Sequence, residues 1–338
     1  MAYDLSDKLV VAISSRALFD LEHENQIFEN NGIEAYTRYQ IEHENTVLPK
    51  GTAFPLVEAL LSLNEKFEEP IVEVIILSSN SPETGLRVFN SISEYGLDIV
   101  RAAFTGGEAK HPYLEAFNID LFLSRNEKEV QDAIDQGVAA ALVYDAPRDY
   151  HPNQKEIRIA FDADAVVFSD ESELIYKQEG LEAFYENENA NAENAMNEGP
   201  FAKLLKTLSK IKEKDDSLLK IAIVTARNSP AHKRVILTLR KWGCKIDEMF
   251  FLGGVAKDKV LKAFNAHIFF DDQDYHVGPA SQLIPSGRVP YKSDSKLHQF
   301  QQHQVEQQPE YHEITNIMNI MNIMANNPSS NFIKKEVN

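Results

Sequence analysis

The 338-residue chain has room for two domains, and its 43% apolar content supports full hydrophobic cores. A formal net charge of −18 argues against a nucleic acid or an anionic membrane surface as partner. The single cysteine, Cys244, excludes an intrachain disulfide, fits a reducing compartment and reads as a small core residue. Met1 to Asp7 lacks the basic region of a secretory signal, and no stretch approaches the roughly 20 apolar residues that span a bilayer. A cytoplasmic protein is therefore the expectation.

Lys8 to Ser14 reads as a first strand, and Ala17 to about Asn45 as charged helix with apolar residues at helical spacing. Thr52 to Leu63 reads as an apolar helix, Ile71 to Leu77 as a strand, Thr84 to Tyr95 as a helix and Ala139 to Tyr144 as a strand. Asp145 to Pro152 holds two prolines and turn formers, and marks a boundary.

Beyond that boundary the pattern returns. Gly32-Ile33-Glu34-Ala35-Tyr36 recurs as Gly180-Leu181-Glu182-Ala183-Phe184, and Asn80-Ser81-Pro82 as Asn228-Ser229-Pro230, each 148 positions later. Gly106-Gly107-Glu108-Ala109-Lys110 recurs as Gly253-Gly254-Val255-Ala256-Lys257 at an offset of 147. Four separated blocks at a near-constant offset, with Leu114 to Asn118 against Leu261 to Asn265 as the fourth, imply two copies of one α/β unit.

The second copy carries the chemistry. Ile159-Ala160-Phe161-Asp162-Ala163-Asp164 is a buried strand that ends in two carboxylates one residue apart. Alternation along a strand would let them converge, which suits a hard divalent cation or nucleophilic attack on phosphorus. Ile221 to Val224 is a further strand ending in Thr225, and a Gly-Gly turn leads to Lys257. His267 to Phe270 is a strand ending in Asp271-Asp272. In the first copy the positions aligned with Asp162, Asp164, Thr225, Asp271 and Asp272 are Ser14, Arg16, Leu77, Ser124 and Arg125. Only the lysine survives, as Lys110, so residues 1–145 are expected to be a degenerate half without catalysis.

This ordered set of Asp-x-Asp, Thr, Lys and Asp-Asp resembles the haloacid dehalogenase superfamily of phosphatases. Within it, Phe161 to Glu173 and Ile268 to Gln273 resemble the cytosolic 5'-nucleotidase I family. The resemblance runs from about Leu9 to Tyr291. It implies two haloacid-dehalogenase-like (Rossmannoid) parallel-sheet units, of which 155–291 is catalytic, with a small helical cap at about 170–217. It also implies Asp162 as nucleophile and Asp164 as general acid. Mg²⁺ would sit on Asp162, the Asp164 carbonyl, Asp271 and Asp272, with Asp272 the direct ligand. Thr225 and the Ala226 amide would bind phosphate, Lys257 would offset its charge, and Arg227 and Phe184 would reach substrate. Ala163 stands where the family more often has glycine.

The expected activity is Mg²⁺-dependent hydrolysis of a nucleoside 5'-monophosphate, AMP first, through an aspartyl-phosphate. A nucleotide effector is admitted, and oligomeric state is left open. The alternatives are a phosphatase of another small phosphomonoester, or a nucleotide-binding regulatory protein. Residues 292–338 are Gln-rich and repetitive, with Asn-Ile-Met repeats from Asn316, and Ile314 to Met324 reads as a short docking helix.

Overall fold

The computed structural model describes residues 3–153 and 155–306. The expected docking helix at Ile314 to Met324 and the Asn-Ile-Met repeats lie outside the described residues. Met1–Lys292 form one compact unit, and Ser293–Asn338 a second, of which the described part is α12 (Lys296–Glu306).

The first unit alternates strands and helices. In chain order they are β1 (Leu9–Ile13), α1 (Ser15–Leu18), α2 (Glu22–Glu42), α3 (Phe54–Ser62), β2 (Val72–Ser78) and α4 (Pro82–Glu94). Then come β3 (Arg101–Phe104), α5 (His111–Ala116), β4 (Leu121–Ser124), α6 (Glu127–Asp135) and β5 (Ala139–Val143). After the proline-rich connection follow β6 (Ile157–Phe161), α7 (Glu171–Ala190), α8 (Ala202–Lys214), β7 (Leu219–Thr225) and α9 (His232–Lys241). The chain continues through β8 (Glu248–Phe251), α10 (Asp258–Phe264), β9 (Ile268–Asp271), α11 (Asp274–Ser281) and β10 (Ser286–Arg288). No described helix is long and apolar enough to cross a membrane.

All ten strands lie in one sheet, in the order β3-β2-β1-β4-β5-β10-β9-β6-β7-β8. Read from either edge inward, the two sets of five run in the same sequence of strands. Within each set the neighbours are parallel, and the mainly apolar, buried runs of β1 and β7 suit a sheet covered on both faces. The sets meet at β5 and β10, which pair antiparallel, with Gly287 opposite Val143. The carboxyl ends of β1, β2 and β4 therefore point to one edge of the sheet, and those of β6, β7 and β9 to the opposite edge. One hydrophobic cluster includes Val11 and Phe122 from the first set and Phe161 and Phe270 from the second.

Register corrects one alignment. Ile13 pairs with Ile76 and Phe161 with Ile223, so the strand residue matching Thr225 is Ser78, not Leu77. The loop after β7 is one residue longer than that after β2, which shifts the offset from 147 to 148 at Asn228.

Two helical excursions follow β1 and β6. Each is a helix broken by a glycine at positive φ, Gly32 at 80° in α2 and Gly180 at 89° in α7. The second excursion closes at an antiparallel bridge between Phe168 and Glu198. α8 then packs Leu204, Leu205 and Leu208 into the core as the crossover to β7. The excursion itself thus spans about 169–198, and 202–214 belong to the crossover helix. Cys244 is half-buried against the core rather than inside it, and Trp242 packs its ring 5.3 Å from that of Phe168.

The base of the excursion needs a glycine. A Cβ at Gly199 would lie 2.2 Å from the Phe168 carbonyl oxygen and 2.6 Å from that of Val166. Gly199→Ala should cost about 3 kcal/mol, because backbone on both sides must shift. Gly278→Ala, on α11, meets no atom beyond its chain neighbours and is opposed by Pro279 next to it, so it should cost no more than about 1 kcal/mol. Thermal melts of the two variants check the difference.

Candidate active site

The second set of strands ends in a cluster of charge at one edge of the sheet, where open α/β sheets bind ligands. β6 stops at Phe161, and Asp162 keeps an extended backbone at φ −68°. Its amide donates to the Phe270 carbonyl at 2.7 Å, which locks it against β9. The chain then turns sharply through Ala163–Val167, with Ala165 at φ 61° and Phe168 N–H closing onto the Ala163 carbonyl. Asp164 therefore sits in a turn, and its carboxylate does not reach the Asp162 side by strand alternation.

β9 ends in Asp271, and Asp272 follows. One carboxylate oxygen from each of Asp162, Asp271 and Asp272 lies within 4.8 Å of the others, all three residues buried. Lys257, 3% exposed at the start of α10, donates to Asp162 Oδ1 at 2.7 Å and Asp271 Oδ2 at 2.6 Å. The remaining Asp271 oxygen accepts the Gln273 amide at 2.9 Å. Asp272 Oδ2 accepts from the Tyr291 hydroxyl, and Oδ1 is buried with no hydrogen-bond partner. A buried carboxylate oxygen without a donor costs free energy that a cation would recover. The three carboxylates, one lone oxygen among them, fit a hard divalent ion.

The protonation equilibria follow this crowding. Burial pushes the Asp162 carboxyl up to about 6, against the pull of Lys257 and with the push of Asp271. Burial, then Asp271 and Asp162, raises Asp272 well above the ordinary carboxylate range. The same two carboxylates outweigh burial at Lys257 and hold its ammonium firmly protonated. Burial, then Lys257, pushes His276 down to about 4, so it is neutral at pH 7.

Thr225 ends β7 with its Oγ1 accepting the Arg227 amide at 3.1 Å, leaving the hydroxyl proton to donate. Arg227 is 4% exposed and grips Asp164 in a fork, Nε to Oδ2 at 2.7 Å and Nη2 to Oδ1 at 2.6 Å. Its third nitrogen donates to Glu188, and the Phe184 ring lies 5.1 Å from the guanidinium carbon. Arg227 and Phe184 thus form a layer behind Asp164, while Ala226 is exposed beside Thr225.

Sequence reasoning missed Glu188. It is 1% exposed and takes Arg227, Arg234 at 2.9 Å and the Ser172 hydroxyl at 2.9 Å. Removing one partner of such a buried cluster leaves a charge uncompensated. Its place in an Asn/Glu-rich run hid it; the structure shows that Gln40, its match at offset 148, is buried too, at 2%. Tyr291, which caps Asp272, was also outside the expected set of roles, and the Tyr185 hydroxyl donates to Asn228 Oδ1 at 2.6 Å.

Against known proteins, a family model described as 5'-nucleotidase matches residues 1–296. The chain is 35% identical over 289 residues to human cytosolic 5'-nucleotidase 1B, covering 81% of this chain and 47% of that one. It thus spans about half the length of that relative. Among solved structures, an S. aureus MnaA–UDP complex aligns at TM-score 0.22 and 10% identity, covering 83% of this chain and 78% of its own. Histidinol dehydrogenase from Elizabethkingia anophelis aligns at 0.21 and 9%, covering 72% and 50%.

Carboxyls raised in the folded state hold protons that the unfolded chain has released. Stability from Asp162 is therefore present below 3.8 and is lost as pH rises through about 6. In chelator, wild type should lose about 1–3 kcal/mol across that window relative to Asp162→Asn. Melts of both proteins in a pH series check the sign, and added Mg²⁺ should raise the wild-type midpoint above pH 6 but not below pH 4.

Proposed function

Because the chain belongs to the 5'-nucleotidase family, we propose that it hydrolyses nucleoside 5'-monophosphates to nucleoside and phosphate, with AMP the first substrate to test. The observation that carries this reading is Lys257 shared between Asp162 and Asp271, beside the unpartnered oxygen of Asp272. That arrangement offers a nucleophile, a fixed cation and a vacant ligand atom at one point. The repeated strand order supports reading 1–145 and 155–291 as two haloacid-dehalogenase-like units, the second catalytic. The name of the human relative supports a cytosolic setting.

Asp162 and Asp272 would hold Mg²⁺, with the Asp164 carbonyl, while Asp271 is engaged by Lys257 and the Gln273 amide. A bound Mg²⁺ would neutralise phosphate charge and let an anionic carboxylate approach it. Asp162 Oδ attacks phosphorus in line; the bond from phosphorus to the ribose O5' breaks. Asp164 gives that oxygen its proton, and in the second step takes one from the water that cleaves the aspartyl-phosphate. Thr225 donates its hydroxyl to a phosphoryl oxygen, and Lys257 balances the charge gathered around Asp162. Arg227 acts as a positioning residue: its fork holds the Asp164 carboxylate until it turns out to carry a proton, and Glu188 with Phe184 fixes Arg227.

Phosphate release from a panel of nucleoside monophosphates and sugar phosphates tests this. Asp162→Asn should lower kcat by at least about 10³-fold, and chelator should abolish release. Thr225→Val should lower kcat by about 10²-fold, the scale of one lost transition-state donor. Release only from sugar phosphates would overturn the substrate, and undiminished release by Asp162→Asn would overturn the mechanism.

A further inference from the structure

The first set of strands holds a cavity of about 380 Å³ at the carboxyl ends of β1, β2 and β4. That volume falls in the range of small-molecule sites, roughly 300–1,000 Å³. It occupies the place in the first half that the carboxylate cluster occupies in the second. Strand register matches Ile13 to Phe161 and Leu123 to Phe270, so Ser14 stands for Asp162 and Ser124 for Asp271. Arg16 and Arg125 stand where Asp164 and Asp272 stand in the second half, and both line the cavity. Each exchange removes a carboxylate, and two of them put a guanidinium in its place.

The electrostatic sense of the site is thereby inverted. Where the second half gathers carboxylates to hold a cation, the first gathers cations. Among its described lining residues the one carboxylate is Glu129, at the position of His276. Glu129 is spent internally, taking Lys110 Nζ at 2.7 Å and the Ser124 hydroxyl at 2.7 Å. Lys110, 6% exposed, is thus neutralised by α6 instead of by strand ends. Arg16 and Arg125 lean on Glu22 at 3.2 Å and Asp145 at 2.5 Å, both outer, solvated carboxylates that leave further guanidinium donors over. In a chain of net charge −18, the lining sets three cations against one carboxylate, the partners of Arg16 and Arg125 lying outside it.

Neutral donors complete it. The Ser15 and Ser78 hydroxyls touch at 2.9 Å on the floor. Asn80 accepts the Tyr36 hydroxyl at 3.0 Å through Oδ1, while its Nδ2 is buried without a partner. Gly106 and Gly107, at φ 60° and 92°, line the wall with open space where a Cβ would be. Above this polar end the α2 excursion supplies Phe28, 47% exposed, and Ile33, 60% exposed, with the Tyr36 ring 6.0 Å from that of Phe28. The cavity has an anion end and an apolar, aromatic end.

We propose that this cavity binds a nucleoside phosphate directly through Arg16 and Arg125, without metal, and does not hydrolyse it. The bidentate guanidinium suits phosphate oxygens, and Asn80 Nδ2 is a donor in need of an acceptor. No carboxylate stands at the position of the nucleophile, the acid or the metal ligands. Because β5 and β10 run antiparallel, the site opens at the sheet edge opposite the catalytic one.

Calorimetry of the full chain in chelator, with AMP in one arm and inorganic phosphate in the other, tests the site independently of any hydrolysis. One equivalent of AMP should bind to wild type and equally to Asp162→Asn. Arg16→Ala with Arg125→Ala should weaken it at least about tenfold, and the Lys pair should recover part of the loss. Hydrogen exchange on wild type, which needs no variant, should show AMP protecting 78–84 and 104–111. Protection only at 225–231 and 251–258, no binding at millimolar AMP, or affinity unmoved in the double variant would overturn the proposal. Equal affinity for phosphate and AMP would overturn its nucleoside part.

Discussion

Everything at the carboxyl ends of β6, β7 and β9 depends on one buried ammonium. Lys257 sits between Asp162 and Asp271 and is the cation within hydrogen-bond reach of both. Three carboxylates drawn together in a low-dielectric pocket repel one another, and burial already raises two of them. The lysine makes such a cluster tolerable before any ligand arrives, yet leaves one oxygen of Asp272 without a donor. The site is therefore held partly short of charge balance, a condition suited to taking up a further cation.

A second layer fixes the geometry of the first. The sharp turn after β6 moves Asp164 out of the carboxylate cluster and into the fork of Arg227. Arg227 is in turn fixed by Glu188 from the helical excursion, and Glu188 by Arg234 on α9. The excursion is thus tied to the strand ends by buried charge. The first half has a parallel tie: Arg87 on α4 bonds Glu24 at 2.8 Å and Gln40 at 3.1 Å, both on α2. Both excursions are anchored; among the described residues the second is anchored to an arginine that grips the carboxylate of the turn after β6.

β1, β2, β5, β6, β7 and β9 were legible because each is a mainly apolar run, so Asp162, Thr225 and Asp271 could be placed at strand ends from the sequence; β3, β4 and β10 were not, being three or four residues long, and β10, Ser286–Arg288, carries no apolar run. Lys257 could be placed by its Gly-Gly turn. Ser78 could not, because the match anchored on Asn80-Ser81-Pro82 carried its register back into β2 across the extra residue at the β7 loop. Glu188 was invisible for a different reason. Its burial depends on arginines 39 and 46 positions away, and nothing in an Asn/Glu-rich run distinguishes a side chain that meets them. Local pattern reports which face of an element is apolar; it does not report which polar group will be enclosed. The end of the excursion at 198 was likewise set by a backbone contact, Gly199 beneath the Phe168 carbonyl, that no periodicity encodes.

The junction of β5 with β10 has a consequence for mass action. Paired there, the five-strand sets cover each other's inner edges, as subunits do across a shared sheet. Here the connection from Val143 to Ile157 makes the association intramolecular. Its effective concentration is set by a short tether and not by how much protein is present. Dilution cannot part the two halves, and their stoichiometry is fixed at one to one. A ligand held by the first half would therefore meet one copy of the second half at every protein concentration.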